Sequence, residues 1–338
     1  MDPLRIVAIG GGTGLSTVLQ GLKRYAREPR EVDITAVVTV TDDGGSSGRL
    51  RRELHMLPPG DIRNCMVALS EDEDLLAQLF QYRFAGGRGL KGHSFGNLFL
   101  TALTNLTGDF AQAVKVSSEI LASFGRIYPS TAANVTLEAE TEDGRTLTGE
   151  TRISKSHSPI RRIRLSPRVC RPLSETLEAI EQADLITLGP GSLFTSLIPN
   201  LLVEGIPDAI RRSRALTAYF VNLMWQPGET SGFRASDHVT ALLKHARQPV
   251  IDVVVVNTRA ITPRQRRKYA AQQAQSVLND VDRLAQMGLE VVAADLLGEG
   301  QIVRHDPRTT ADVALSLARR SRKARGKIQV LGKNQSTA

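Results

Sequence analysis

Short apolar runs alternate along the chain with segments whose apolar residues have the spacing of amphipathic helices. Six runs are predicted strands, at residues 6–9, 34–39, 185–188, 218–223, 250–256 and 290–293. Strands that alternate with helices form a parallel sheet covered on both faces, so the pattern predicts a doubly wound, mostly parallel, Rossmann-like α/β fold. Ligands of such sheets bind beyond the carboxyl ends of the strands, and we therefore expect the loops there to converge.

A different pattern interrupts this alternation near residues 134–165. Residues 135–139 and 147–153 alternate apolar and polar positions on either side of the turn Glu142-Asp143-Gly144, which is typical of a β-hairpin. The basic stretch 161–164 follows. We therefore expect a β-hairpin insertion on the sheet domain.

The positive charge is concentrated at the carboxyl end. Residues 319–338 contain seven Lys or Arg residues and no acid, and they supply +7 of the net charge of +8. The rest is nearly neutral and its 4% aromatic residues give no stacking platform, so no specific nucleic-acid partner is expected. We predict one nucleotide-binding domain at 1–318 and a mobile basic tail at 319–338, in which Gly326 and Gly332 interrupt any helix.

Three further features exclude other classes of protein. No apolar run approaches the roughly 18 residues of a membrane span, and the amino-terminal residues lack the pattern of a signal peptide. Cys65 and Cys170 are far apart and lack metal-ligand spacing, so neither a disulfide framework nor a zinc site is indicated. We expect a cytoplasmic protein without a membrane span.

The loop after the first predicted strand is Gly10-Gly11-Gly12-Thr13-Gly14. Without Cβ atoms, its glycines let backbone N–H groups approach a phosphate, and the helix that follows adds the positive end of its dipole. The spacing matches neither the dinucleotide fingerprint nor a Walker loop. A tight turn that packs a helix on the sheet is the alternative, but the density of glycines favours a phosphorylated ligand.

Acidic and hydroxyl side chains follow the second predicted strand. Asp42 and Asp43 lie in one loop with Ser46 and Ser47. Carboxylates at this position can bind the hydroxyls of a ribose or hold a hydrated Mg²⁺ against a diphosphate. A solvated Asp-Gly turn is the alternative, and the glycine and serine donors nearby favour ligand contact.

Two later segments place polar residues at predicted helix starts. Asp61 is expected to cap its helix, an explanation that does not extend to Asn64. His93 and Asn97 precede and begin another apolar helix. A histidine at such a position is more often a structural hydrogen-bonding group than a general base.

The loop Gly189-Pro190-Gly191-Ser192 gives a second anion-compatible helix start, with Ser192 near the N-cap. Two such sites on one sheet suggest a ligand with two polar ends. The loop at residues 225–230 adds polar side chains from a further strand.

In order along the chain, these motifs resemble those of the gluconeogenesis factor family of bacteria, within the 2-phospho-L-lactate transferase-like superfamily. The resemblance extends from the first strand to about Arg320. It rests on Gly10-Gly11-Gly12-Thr13-Gly14, residues 38–49, Pro59-Gly60-Asp61-Ile62-Arg63-Asn64, Gly92-His93-Ser94-Phe95-Gly96-Asn97 and Gly189-Pro190-Gly191-Ser192.

The resemblance implies a cytoplasmic regulator that binds a UDP-sugar such as UDP-N-acetylglucosamine and requires no cofactor. Members of the family support cell shape and wall synthesis during gluconeogenic growth, which implies protein partners in wall synthesis, and a homo-oligomer is a further expectation. The transferase branch of the superfamily implies the alternative of a Mg²⁺-dependent transferase. An NAD-like dinucleotide is a second candidate ligand for the glycine loop.

Carried over position by position, the resemblance also implies site residues. The glycine loop would hold the diphosphate, and no residue is assigned as catalytic. The other implied cleft residues are Asp42, Asp43, Asn64, Asn97 and Ser192. Tyr269 and Arg304 are candidates for the uridine or sugar end of the ligand. Trp225 departs from the family pattern, in which Thr is expected at its position.

Overall fold

The computed structural model describes residues 2–27, 29–71, 75–156, 158–270 and 274–335. The strands in this part of the chain are β1 Leu4–Gly10, β2 Val32–Val38, β3 Arg126–Pro129, β4 Thr136–Thr141, β5 Thr146–Thr148, β6 Ile160–Ser166, β7 Leu185–Leu188, β8 Leu216–Phe220, β9 Val253–Asn257 and β10 Glu290–Ala294. The helices are α1 Gly12–Ala26, α2 Gly45–Leu54, α3 Gly60–Leu69, α4 Leu75–Gln81, α5 Phe95–Thr107, α6 Phe110–Ile120, α7 Glu150–Ser154, α8 Ser174–Gln182, α9 Ile198–Leu201, α10 Ile206–Arg212, α11 Ala235–Ala246, α12 Pro263–Ala270, α13 Val281–Gln286 and α14 Pro307–Gln335, with a π-helical turn Leu193–Leu197 before α9.

A seven-stranded parallel sheet has the order β10-β9-β8-β7-β1-β2-β3. It contains all six predicted strands, with bounds shifted by a few residues, and the predicted α/β fold is confirmed. The seventh strand, β3, is not predicted from the sequence. It has only four residues, which is too short for its alternation of buried and less buried positions to form a recognisable pattern. Its Ile127 packs into the core.

The direction of the strand order reverses beside β1. From β1 the chain proceeds through β2 to β3 on one side, whereas β7 pairs with the other side of β1 and leads through β8 and β9 to β10. Such a reversal opens a crevice at the carboxyl ends of the two central strands. The glycine loop after β1 and the Gly-Pro-Gly loop after β7 therefore lie next to each other.

Helices cover both faces of the sheet. The helix α1 packs against α3 and α14, while α8 packs against β1, β3 and α10. The central strands are almost completely buried, as expected for a parallel sheet between two helical layers. In the described residues no single helix is long and apolar enough to cross a membrane, although the bent pair Leu193–Leu201 and Ile206–Arg212 meets that test together.

The predicted insertion is a small antiparallel sheet with the order β5-β4-β6. One face of β4 and β6 is buried, which explains the alternating sequence pattern. The hairpin is therefore confirmed, but its second strand ends at Thr148 rather than at residue 153. Gly149 has φ +94°, a conformation that favours glycine, and α7 begins directly after it.

The predicted boundary at residue 319 falls inside α14. Arg322 and Arg325 both form ion pairs with the buried carboxylate of Asp184, and Arg320 pairs with Glu290. Residues 319–325 are therefore packed on the domain, because a buried carboxylate requires positive partners. This corrects the boundary. The prediction that Gly326 and Gly332 interrupt any helix is also wrong, because α14 continues through both to Gln335. Residues 336–338 of the predicted tail lie outside the described residues.

Candidate functional site

A cleft of about 540 Å³ lies at the carboxyl ends of β1, β7 and β8. Its walls include the glycine loop, the loop after β7 and the segments around Trp225, Tyr269 and Arg304. The first two loops touch: a Cβ atom on Gly14 would lie 2.7 Å from the carbonyl carbon of Pro190. The expected convergence of loops at the strand ends is therefore present.

The glycines of the first loop have different functions. Gly11 is the N-cap residue of α1, and a Cβ there would lie 2.7 Å from both Thr39 Cγ2 and Asp61 Oδ2. Gly12 has φ +59°, and a Cβ there would meet nothing closer than Ser196 Oγ at 4.0 Å. Gly12 is therefore the glycine that leaves open space on the cleft side. Gly10, at the end of β1, is buried and does not line the cleft.

The Asp61 carboxylate accepts a hydrogen bond from the backbone N–H of Gly12. Burial and the nearby charge of Asp42 raise the Asp61 pKa from 3.8 to about 7, against the lowering effects of that hydrogen bond and of Arg63. The helix α3 instead has Pro59 as its N-cap residue, without a side-chain cap. The predicted capping role of Asp61 is wrong, because its side chain turns toward the glycine loop.

Two further carboxylates line the cleft near Asp61. Glu150 begins α7, and burial followed by the charges of Asp61 and Asp42 raises its pKa well above the usual value. The buried Glu229 carboxylate accepts hydrogen bonds from Thr195 Oγ1 at 3.0 Å and from the N–H of Phe194 at 3.2 Å, both in the π-helical turn. Burial raises the pKa of Glu229 as well. Three carboxyl groups with raised pKa values therefore line the cleft.

The structure separates the two predicted aspartates. The Asp43 carboxylate accepts hydrogen bonds from the N–H of Thr151 at 2.9 Å and from its hydroxyl at 2.6 Å. It thus anchors the first turn of α7. The Asp42 carboxylate accepts the N–H of Gly44 and lies against Gly60, close enough to Asp61 to raise its pKa. Neither aspartate lines the main cleft.

Four predicted residues form a buried polar cluster at the start of α2 and α5. Ser46 Oγ lies 3.0 Å from His93 Nδ1, and Asn97 Nδ2 donates to Ser47 Oγ at 3.4 Å. Ser94, rather than His93, caps α5 by accepting the N–H of Asn97. These side chains hold α2 against α5, and they do not line the main cleft.

Asn64 faces a neighbouring groove rather than the main cleft. Its Oδ1 accepts a hydrogen bond from Arg63 Nη2 at 2.6 Å. Thr13 of the glycine loop lines both the groove and the cleft. Asn64 therefore lies in the groove beside the glycine loop, where it contacts Arg63, and not in the main cleft.

The loop after β7 contributes two of its three predicted residues to the cleft. Ser192 precedes the π-helical turn and accepts a hydrogen bond from Gln226 Nε2 at 2.6 Å. The N–H of Gly191 donates to Asn222 Oδ1 at 3.4 Å. Gly189 has φ +73° and packs against Leu197, behind the cleft.

The structure brings Tyr269 and Arg304 to the same side of the cleft. The Tyr269 hydroxyl accepts a hydrogen bond from the N–H of Val303, at 3.0 Å, so α12 is tied to the segment that carries Arg304. His305 lies beside them and is buried, and its Nε2 is 3.1 Å from the carbonyl oxygen of Val221. Trp225 also lines the cleft and donates through Nε1 to Phe233 O.

Three cleft carboxylates were not predicted as site residues. Glu229 lies in the polar loop at 225–230, so its position was a usable signal. The predicted capping role of Asp61 accounted for its presence in the sequence, so its contact with Gly12 was not predicted. Glu150 carried no signal, because residues 147–153 alternate like a strand and gave no reason to expect a helix start there.

The comparisons with known proteins agree with the motifs. The family model described as 2-phospho-L-lactate transferase CofD matches residues 6–297. The chain belongs to the CofD family. Within it, a "Putative gluconeogenesis factor" of Aquifex aeolicus is 48% identical over 94% of this chain and 97% of its own length. A "Gluconeogenesis factor" of Bacillus subtilis is 47% identical over 93% of this chain and 98% of its own length.

A crystal structure of a UPF0052 family member from Bacillus halodurans has the same fold. The two structures agree with a TM-score of 0.89 at 45% sequence identity, over 93% of this chain and 100% of that chain. The resemblance inferred from the motifs is confirmed. The α/β fold is therefore shared with a solved relative across nearly the whole domain.

The transferase branch of the CofD superfamily implies Mg²⁺. Among the described residues, no group of three His, Cys, Asp or Glu side chains could hold a metal ion. Mg²⁺ is, however, commonly held by one or two carboxylates together with substrate phosphates. Asp42 and Asp61 fit that arrangement, because Asp42 lies close enough for its charge to raise the Asp61 pKa. Asp43 does not, because Thr151 donates two hydrogen bonds to its Oδ1 and its Oδ2 lies against Gly149.

Proposed function

We propose that the cleft binds a nucleotide diphosphate sugar, with UDP-N-acetylglucosamine as the first candidate. The observation that carries the proposal is that open space at Gly12 faces the same cleft as Tyr269 and Arg304. A volume of about 540 Å³ lies within the usual range of small-molecule sites. The ligand has two polar ends, as the two helix starts require.

Backbone N–H groups of the glycine loop and the charge of Arg304 support one orientation of that ligand. The N–H of Gly12 is occupied by Asp61. The N–H groups of Thr13 and Gly14 lie in the first turn of α1, where no intrahelical acceptor is available. They would bind the diphosphate, and Arg304, which lines the same cleft, would supply positive charge. Tyr269 would then contact the uridine or sugar end.

Binding is tested by thermal unfolding with UDP-N-acetylglucosamine. A ligand that binds only the folded state, at a hundredfold excess over its dissociation constant, stabilises it by about 2.7 kcal/mol. Arg304→Ala should reduce the increase in Tm, whereas Arg308→Ala should preserve it, because exposed Arg308 does not line the cleft. Equal ligand-induced increases in Tm in the two variants would show that Arg304 does not contact the ligand.

The same proposal extends to the cell. The relatives are named gluconeogenesis factor, which supports a role in gluconeogenic growth. Within that role we propose a UDP-sugar-sensing regulator of cell shape and wall synthesis. Protein partners in wall synthesis and a homo-oligomer belong to this proposal, as does a cytoplasmic location. A deletion strain should lose its normal shape on a gluconeogenic carbon source and keep it on glucose. Normal shape on both sources would contradict the regulatory role.

A Mg²⁺-dependent transferase is the second candidate, because the CofD family model covers residues 6–297. In that case Asp42 and Asp61 would hold the ion against the diphosphate. Incubation with Mg²⁺ and UDP-N-acetylglucosamine should leave the ligand intact if the protein is a regulator. Release of UMP or UDP well above background, abolished by Asp42→Asn, would instead establish the transferase. An NAD-like dinucleotide is tested by the same thermal assay.

A further inference from the structure

A second groove of about 520 Å³ adjoins the cleft along α1 and α3. Thr13, Thr17 and Arg304 line both spaces, so the two adjoin along the first two turns of α1 and at Arg304. The groove also contains Arg63 and Arg83. We call it the arginine groove, after Arg63, Arg83 and Arg304.

The three guanidinium groups are not neutralised by ion pairs. Within the part of the chain that the structure describes, none of the three forms a salt bridge with a carboxylate. Burial and the charge of Arg83 lower the Arg63 pKa, while the charges of Asp61 and Asp42 act in the opposite direction. Arg63 and Arg83 therefore repel each other across the groove, and an anion between them would remove that repulsion.

Arg63 is held in place before any ligand arrives. Its aliphatic part lies on Gly96, where a Cβ would be 2.9 Å from both Cγ and Cδ of Arg63. Its Nη1 donates to Ser94 Oγ and its Nη2 to Asn64 Oδ1, both at 2.6 Å. A guanidinium has five N–H donors, so several remain for a ligand, and the Nε atom is buried without a partner in the described residues.

We propose that the arginine groove binds a phosphomonoester, separately from the nucleotide sugar. Guanidinium groups match the oxygens of phosphate in bidentate geometry, and three positive charges suit a dianion better than a single carboxylate. Lys23 also lines the groove and donates to Ser70 O at 2.9 Å, while exposed Glu71 is an acidic residue in the same lining. The phosphate therefore binds to Arg63, Arg83 and Arg304 rather than to Lys23.

Occupancy of the groove weakens binding of the nucleotide sugar, a consequence that rests on the proposed function. Both ligands are anionic, they lie side by side, and Arg304 lines both sites. Two anions that share one cation compete for it. Linkage requires the effect to be reciprocal, so the nucleotide sugar weakens phosphate binding by the same factor.

Calorimetric titration with sodium phosphate at constant ionic strength tests the groove directly, using the full chain without nucleotide. Arg63→Gln and Arg83→Gln should each weaken phosphate binding by about tenfold. Arg88→Gln removes the same charge from an exposed position in the same loop as Arg83, outside the groove, and should leave binding unchanged. Arg83 is exposed, so Arg83→Gln remains informative if Arg63→Gln fails to fold.

Equal phosphate affinity in Arg83→Gln and Arg88→Gln, or no phosphate binding to the wild type at millimolar concentration, would overturn the proposal. A second titration with UDP-N-acetylglucosamine at saturating phosphate should give a several-fold higher Kd than without phosphate. An unchanged Kd would overturn the coupling. If phosphate binds as expected and UDP-N-acetylglucosamine does not bind at all, the proposed function fails while the groove stands.

Discussion

The pKa of Asp61, beside the glycine loop, is subject to opposing electrostatic effects. Its carboxylate accepts the N–H of Gly12, which favours the charged form, but burial and Asp42 dominate and raise its pKa to about 7. At lower pH the neutral acid occupies the site. The residue beside the expected diphosphate thus loses its negative charge as the pH falls through neutrality. The cleft should therefore bind anions more tightly at lower pH.

Replacement of Asp61 gives a pH-dependent change in stability. Because the folded-state pKa lies above the usual 3.8, the stability contributed by the neutral acid is complete below about pH 4 and is lost as the pH rises to about 7. Asp61→Asn should therefore raise the free energy of unfolding at pH 8, by up to about 4 kcal/mol, with little change near pH 4.

Urea unfolding of Asp61→Asn at pH 4, 6 and 8 measures this effect, with exposed Asp208→Asn as the matched control. The gain should increase with pH across the series. A difference from wild type that is the same at all three values would show that Asp61 is not buried in the neutral form.

At the scale of elements, the contact between two loops determines the shape of the cleft. Gly14 in the first turn of α1 lies against Pro190 and Gly191 in the loop after β7. A methyl group on Gly14 would lie 2.8 Å from Gly191 Cα, so the loops would have to move apart. The function of Gly14 is therefore to bring two strand ends together, whereas Gly12 leaves room for a ligand.

Gly14→Ala should lower the free energy of unfolding by about 1–3 kcal/mol, because there is no room for the added methyl group. Exposed Gly86 provides the control, since a Cβ there would meet nothing within 4 Å. Urea midpoints of the two variants give the comparison. Similar stability in Gly14→Ala and Gly86→Ala would mean that the two loops do not pack as described.

Elements were easier to predict from the sequence than contacts between side chains. The six strands and the hairpin were predictable because burial on one or both faces of a sheet leaves a local pattern. The location of Glu150 at the cleft was not, because it depends on Asp43 holding Thr151 across a large sequence separation. The sequence predicts that the adjacent residues Asp42 and Asp43 act together. In the structure their side chains lie in different surroundings, and the reason is the same: long-range contacts decide where each one points.

At the scale of the whole molecule, the carboxyl-terminal helix joins the two ends of the chain. Arg322 donates to the carbonyl oxygens of Asp2 and Pro3 and pairs with Asp184, whose carboxylate also accepts the N–H of Arg5. Arg325 is the second partner of that carboxylate. The basic residues at 319–325 therefore stabilise the amino-terminal edge of the sheet domain, far from the ligand loops in the sequence.

Two truncations separate the parts of the basic segment. A chain that ends at Arg325 should keep its stability, whereas one that ends at Ala318 leaves the buried Asp184 without Arg322 and Arg325. Loss of the partners of a buried charge lowers the free energy of unfolding by roughly 3 kcal/mol. Thermal unfolding of both chains measures the difference, and equal Tm values would show that residues 319–325 contribute nothing.

The central claim is that a UDP-sugar lies against Gly12 in the cleft. Calorimetric titration of UDP-N-acetylglucosamine into Gly12→Val and Gly45→Val tests it most directly. Both glycines have positive φ, +59° and +46°, and a Cβ on Gly45 would meet nothing within 4 Å, so the backbone strain is similar while only Gly12 lines the cleft. The account predicts at least tenfold weaker binding, about 1.4 kcal/mol, in Gly12→Val alone. Wild-type affinity in a folded Gly12→Val protein would contradict it.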